Sequence, residues 1–284
     1  MHDRDRLHRF LFEHLPIRGH LVHVDAAWRA LIEHRDYPAP VRNALGQAVA
    51  AALLLAASIK FEGVLSLQLQ GDGPVHLLLA QCTSGLGVRG LVGSGNLTVT
   101  LESDDGGQRY QGIVPIGGDE LSGALEVYFE HSEQLPTRLW LHADEHGASG
   151  MLLQRLPVGG GHAAEADPAQ VEDAWRRLQL IGETLSAEEL RSLEDKQILR
   201  RLFNEDDVRL FDAAPVYFRC RCSRDRVAGM LQGLGETEVR SVLAERGQVE
   251  VHCDFCNRGY LFDVVDVAQL FNAGPSAERG SSVH

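Results

Sequence analysis

Four of the five cysteines in this chain fall in its last quarter as two tight pairs, Cys220 and Cys222 in "FRCRCSRDR" and Cys253 and Cys256 in "HCDFC". Thiolates spaced C-x-C and C-x-x-C can close a tetrahedron round one Zn²⁺, with Zn–S bonds of about 2.3 Å. Asn257 and Gly259 follow the second pair and permit the tight backbone of a metal knuckle. Two cysteines one residue apart can also close a disulfide, in a ring too tight to be relaxed. Strained, exposed disulfides are the labile and regulatory ones. Arg219, Arg221, Arg224 and Arg226 flank the first pair, and positive charge beside a thiol favours the thiolate that oxidants attack. Oxidising each pair would remove all four ligands of a bound metal at once. The same spacing also suits a permanent structural zinc ribbon without a redox role.

The remaining chemistry-bearing residues lack a supporting context. Cys82, in "LLLAQCTSG", is far from the cluster along the chain and reads as a small buried hydrophobe. His20 and His23, in a short segment before a helix, and His142 and His146, at a strand end, have metal-like spacings but are not read as ligands. His252 adjoins Cys253, yet four cysteines already complete a zinc site. The glycines of "GLVGSG" and "VGGGH" match neither a P-loop nor a dinucleotide fingerprint. Asp119 and Glu120 sit at a helix start, where dipole compensation accounts for them. No Ser–His–Asp pattern stands out, and no catalytic residue is expected. The enzymatic alternative is a thiol–disulfide oxidoreductase using Cys253 and Cys256, but that C-x-x-C lies in a hairpin rather than at a helix start in a βαβ unit. A zinc-ribbon nucleic-acid module would need a basic face, whereas the net charge is −13.

The elements that must hold the cysteines form a small domain. "QVEVHCDFCNRGYLFDV" (248–264) reads as a hairpin with the second pair in its turn. "SRDRVAGMLQGLG" and "ETEVRSVLAERG" read as short helices stopped at Gly233 or Gly235 and at Gly247, and "DVAQLF" as a final helical turn. A core of under about 70 residues is marginal without a staple, which a metal would supply.

Upstream, the chain reads as α+β. Helices are expected over 24–36 and 40–61, the second entered through Pro40, and over 119–134, capped by Asp119. "GVLSLQLQGDGPVHLLLAQ" (63–81) reads as two strands joined by a Gly-Asp-Gly turn. Further strands are expected in "GVRGLVG", "NLTVTLES", "QRYQGIVPI", "TRLWLHADE" and "SGMLLQRLP". Strands in succession with few helices between them favour an antiparallel sheet with helices packed on it. "PVGGGHAAEADP" (157–168) is a linker sequence. Residues 169–205 are helical, with a capping box at Ser186 and Glu189 and only a thin apolar stripe through Trp175, Leu178, Leu199 and Phe203. Such a segment folds only by lying on something else. The expected division is an α+β core domain at 1–165, a helical linker at 166–210, a zinc-binding domain at 211–273 and a flexible tail at 274–284.

The start of the chain has no apolar signal region, and the longest apolar run (48–58) is too short to span a bilayer. A cytoplasmic location without membrane partners is the expectation. In a reducing cytosol, clustered cysteines are metal ligands or redox groups more often than structural staples.

The chain resembles the bacterial redox-regulated heat-shock holdase family, heat-shock protein thirty-three. "YFEHSEQLPT" (128–137) and "MLLQRLP" (151–157) are similar to its core, "LRRLFNEDDVRLFDAAPVYFRCRCSRDR" (199–226) to its linker exit and first metal half-site, and "VEVHCDFCNRGYLFDVVDVAQLF" (249–271) to its second half-site. The resemblance implies an ATP-independent chaperone, not an enzyme, holding one Zn²⁺ per chain through Cys220, Cys222, Cys253 and Cys256. It implies that the reduced, zinc-bound form is inactive. Oxidant, with heat, forms the disulfides Cys220–Cys222 and Cys253–Cys256, releases zinc and unfolds the linker. It further implies capture of unfolding proteins by the sheet domain, a homodimer when oxidised, and hand-over to an ATP-driven foldase, with no nucleic-acid partner.

Overall fold

The structure is a computed structural model that describes residues 4–70, 77–93, 98–103, 110–113, 121–157 and 167–272. By contacts the chain divides into Met1–Arg219 and Cys220–His284. The first unit carries strands β1 (Arg6–Phe12), β2 (Ile17–Val24), β3 (Gly63–Gln70), β4 (Leu77–Thr83), β5 (Gly87–Gly93), β6 (Thr98–Ser103), β7 (Tyr110–Ile113), β8 (Thr137–Ala143), β9 (Ala148–Arg155), β10 (Val208–Leu210), β11 (Ala214–Pro215) and β12 (Tyr217–Phe218). Its helices are α1 (Ala26–Ile32), α2 (Ala39–Ser58), α3 (Leu121–Tyr128), α4 (Pro168–Gly182), α5 (Ala187–Ser192) and α6 (Asp195–Leu202). The fold is α+β, with two sheets in this unit. One runs β10-β1-β2-β9-β8, with β11 also on β1, and the other runs β12-β5-β4-β3-β6-β7.

Helix α2 explains how the sheets meet. Twelve of its residues from Leu45 to Ala57 are buried, and a helix apolar all round must be covered all round. It packs against both sheets in one core with Val22, Leu65, Ala80, Val88 and Leu152. Among the described residues it is the one helix long and apolar enough to cross a membrane, and 67% of its apolar window is buried inside the protein.

The other face of the first sheet receives the helical segment. Register pairs Arg6 with His23 and Phe10 with Gly19, then Leu21 with Met151 and His23 with Ser149. Side chains alternate across a strand, so one face carries Phe10, Phe12, Leu21, Met151 and Leu153 at one end and Arg6, His8, His23 and Ser149 at the other. Trp175, Leu178, Leu190, Ile198, Leu202 and Phe203 from α4–α6 close over the apolar end. Gly19 makes room here, since a Cβ would collide with the Phe10 ring. The thin stripe of 169–205 thus finds its platform, and the expected linker 166–210 lies by contacts within the first unit.

Several local expectations hold. Ser186 and Glu189 form the capping box, and a second box joins Glu194 to Gln197. The helix expected over 119–134 is α3 followed by a π-helical turn, Phe129–Glu133, which ends at Gln134 with φ 55°. Asp119, the Gly-Asp-Gly turn and the tail 274–284 lie outside the described residues. The hairpin β1–β2 and the short strands β10–β12 were not expected. His20 and His23 stand inside β2, so the short segment expected before a helix is a strand that leads into α1.

The second unit holds α7 (Arg224–Leu234), α8 (Glu236–Arg246), β13 (Val249–His252), β14 (Gly259–Phe262) and α9 (Val264–Asn272). Gly235 and Gly247, at φ 95° and 76°, stop α7 and α8 as expected. Among the described residues, eight buried apolar side chains form its core, including Val227, Leu243, Tyr260, Phe262 and Val267. A core this small gains most of its stability from a cross-link or a metal.

Candidate metal centre

Each cysteine pair is aimed by local backbone geometry. Cys220 and Cys222 precede α7, whose first turn is closed by Ser223 accepting from the Arg226 amide at 3.2 Å. Cys253 and Cys256 occupy the β13–β14 turn, where the Asn257 amide donates to the Cys253 carbonyl at 2.8 Å and the Cys253 amide to the Arg258 carbonyl at 3.0 Å. Asn257 takes a left-handed conformation, φ 52°, which asparagine tolerates better than most residues. The sequence had pointed to this knuckle.

All four sulfurs lie within 4.8 Å of one another. Cys220 Sγ is 3.6 Å from Cys253 Sγ, and Cys222 Sγ is 3.4 Å from Cys256 Sγ. Tetrahedral zinc with Zn–S bonds of about 2.3 Å needs sulfurs about 3.8 Å apart, so the donor set and its size fit a thiolate-bound metal. The four thiols are free, and both of these contacts run between the half-sites.

Tyr260 and Arg258 are functional neighbours that sequence reasoning missed. The Tyr260 hydroxyl donates to Cys222 Sγ at 3.1 Å, and the Arg258 charge stands against Tyr260, Cys222 and Cys256. Burial opposes ionisation of Cys222, but hydrogen bonds from Tyr260 and the neighbouring thiols outweigh it and bring that thiol down to about 7. Burial pushes Cys220 up to about 12 and raises Cys256. Two of the flanking arginines act elsewhere: Arg224 donates to the Leu261 carbonyl at 2.7 Å, pairs with Asp266 at 2.7 Å and lies 4.3 Å over the Phe262 ring. Arg226 donates to the Arg221 carbonyl at 2.7 Å. The signal for Tyr260 was its alternation with Phe262 into the small core, which brings its hydroxyl to the sulfurs.

The residues set aside stay apart from the cluster. His252 is held by the Asn257 carbonyl at 3.2 Å and by Glu250 at 2.8 Å. Cys82 is fully buried and burial pushes its thiol up to about 12, so it is an inert part of the core. His142 lies 3.9 Å from Asp144, and His146 lies 3.5 Å from Glu145.

Comparison with known proteins follows the same line. The family model described as Hsp33 protein matches residues 5–263. A 33 kDa chaperonin of Nitrosococcus oceani is 47% identical, with 100% of both chains covered. A 33 kDa chaperonin of Methylobacillus flagellatus is 45% identical over 94% of each. The crystal structure of a 33 kDa chaperonin from Thermotoga maritima, an Hsp33 homologue, superposes with a TM-score of 0.77 at 20% identity, covering 94% of this chain and 98% of that one. At that identity the likeness carries the fold.

Proposed function

This chain belongs to the Hsp33 family and is a chaperone, and on that premise we propose that its holdase activity is switched by a zinc–thiolate centre. Cys220, Cys222, Cys253 and Cys256 are the ligands and also the redox-active residues. The observation that carries the reading is four free thiols within 4.8 Å of one another in a unit whose core has eight buried apolar side chains.

Bound zinc would supply a four-way cross-link for this unit, contributing roughly 10–16 kcal/mol as in small zinc-dependent folds. When a thiolate attacks peroxide it becomes a sulfenic acid with release of hydroxide. Its neighbour then displaces a second hydroxide and closes a disulfide, two electrons per pair. Closing Cys220–Cys222 and Cys253–Cys256 removes every ligand, and the unit loses its staple. In the reading we adopt, the helical segment 166–210 responds by leaving the sheet, and the apolar face of the 1–165 core is opened to unfolding proteins. The zinc-binding region 211–273 is the sensor. Phe10, Phe12, Leu21 and Met151, covered by α4–α6, are the apolar surface most directly released. An oxidised homodimer, a cytoplasmic location and transfer of clients to an ATP-driven foldase complete the proposal. No nucleic-acid or membrane role is assigned, and no catalytic turnover is invoked.

The test is zinc content against thiol count before and after peroxide, read together with hydrophobic-dye binding and suppression of client aggregation. One zinc released per four thiols lost, with a parallel rise in suppression, is expected. Zinc loss with unchanged suppression would remove the switch. Turnover of insulin disulfides by the reduced protein would favour the oxidoreductase instead.

A further inference from the structure

We propose that Asp195 is a latch, a buried carboxylate that registers α6 on β1 and β2 and whose loss frees the helical segment with the cysteines untouched. The step from a freed segment to raised chaperone activity rests on the gating reading above.

Asp195 is the first residue of α6 and is 1% exposed. It sits on the polar end of the sheet face that α4–α6 cover. His23, also 1% exposed, places Nε2 2.6 Å from Asp195 Oδ1. His8 Nδ1 hydrogen-bonds Asp195 Oδ2, and Arg6 Nε lies 3.5 Å from the same oxygen. Arg6 pairs in addition with Glu194. From the chain ahead of β1, Arg4 donates to the carbonyls of Leu193 and Arg191. The N-terminal strands and the entry to α6 are therefore joined by one charged cluster.

The chemistry of that cluster differs from the packing beside it. Phe10, Phe12 and Phe203 at the other end are held by non-directional burial, which tolerates small slips. An ionised group deep in protein is tolerated in one arrangement only, among its partners. The cluster is also incompletely satisfied. His23 meets Asp195 off the line of a good hydrogen bond, and His23 Nδ1 and Ser149 Oγ are buried with no hydrogen-bond partner among the described residues. Both residues line a small cavity of about 20 Å³ together with Arg4, Asp25 and Arg191. In water every one of these groups would be fully hydrated. The latch thus selects the docked register strongly while leaving release within reach, as buried ion pairs that confer specificity more than stability do.

Amide exchange on the full-length, reduced, zinc-loaded protein tests the latch through Asp195→Asn. Exchange in α4–α6 is expected to quicken by on the order of a hundredfold, while β2 and β9 keep their protection. Suppression of client aggregation should then appear without oxidant. Replacing the carboxylate together with both of its histidine partners, in Asp195→Leu with His8→Leu and His23→Leu, should bring protection back to within about tenfold of the parent, because Arg6 keeps Glu194 and no other charged partner of Asp195 remains. Protection within about twofold of the parent in Asp195→Asn would overturn the latch. Should Asp195→Asn open β2 and β9 as well, the triple variant decides: restored protection in α4–α6 upholds the latch, and none overturns it. If α4–α6 open and aggregation is not suppressed, the latch stands and the gating reading falls.

Discussion

Tyr260 donates its hydroxyl proton to Cys222 Sγ across 3.1 Å while its ring is buried in the core of the second unit. One side chain therefore couples the packing of that core to the sulfur cluster. Removing the hydroxyl in Tyr260→Phe keeps the ring and deletes the donor. Outer-sphere donors of this kind are typically worth 10–100-fold in metal affinity, and sulfur is a weak acceptor, so about tenfold weaker zinc binding is expected. Competition against a coloured chelator measures it. Equal affinity in the two proteins would leave the hydroxyl without a role at the centre.

Phe203 closes the apolar end of the helical segment. Its ring meets Phe12 edge-on at 5.2 Å and Phe10 at 6.3 Å, and it is 2% exposed. Truncation in Phe203→Ala removes a buried aromatic at a cost of about 3–5 kcal/mol. The reduced protein should then bind more hydrophobic dye and be cut by protease within 168–203. A dye signal matching the parent would show that the segment is held mainly by other contacts.

Chelation with the thiols kept reduced separates metal loss from oxidation. The second unit is expected to lose exchange protection in β13, β14 and α8, since its core is too small to stand without a staple. The sheets of the first unit, with their larger core, should keep theirs. Full protection of β13 and β14 in the metal-free protein would mean that the cluster is not what holds this unit together.

His20 makes the first unit sensitive to acid. Burial, reinforced by Arg18 and Arg9, lowers its pKa to about 3. A group with a folded pKa below its unfolded value of about 6.5 takes up protons first in the unfolded chain. Stability is therefore full above about pH 6.5 and falls as pH drops toward 3, by about 2 kcal/mol at pH 5. Asp195 adds a separate loss at lower pH: burial opposes its charge, but His23, His8 and Arg6 outweigh that and hold its carboxyl below the ordinary value. Its contribution is present above the unfolded carboxylate range and disappears below it. Denaturant midpoints at pH 7.5 and 5 for the parent and His20→Gln isolate the histidine. A variant as acid-sensitive as the parent would clear His20 of this role.

Legibility followed local chemistry. The cysteine spacing, Asn257, the Ser186–Glu189 box and the stops at Gly235 and Gly247 were readable because each acts within a few residues of itself. The strands β3–β9 were readable from alternation and punctuation. The hairpin β1–β2 was not, because both its faces are covered, one by α2 and the other by α4–α6. Arg6, His8 and His23 point into a buried interface, so no clean polar–apolar period survives. The strands β10–β12 are only two or three residues long and gain their form from β1 and β5, far away along the chain.

The chain by itself determined the donor set, its two tight half-sites and a helical segment too thinly apolar to fold alone, since these depend on residue type and near spacing. Only the tertiary structure decided which face that segment covers, that Asp195 is buried among His8, His23 and Arg6, and that Tyr260 reaches a sulfur 38 residues away. Those outcomes depend on strand register and helix packing, which bring distant residues within hydrogen-bond reach and leave no periodic trace in the sequence.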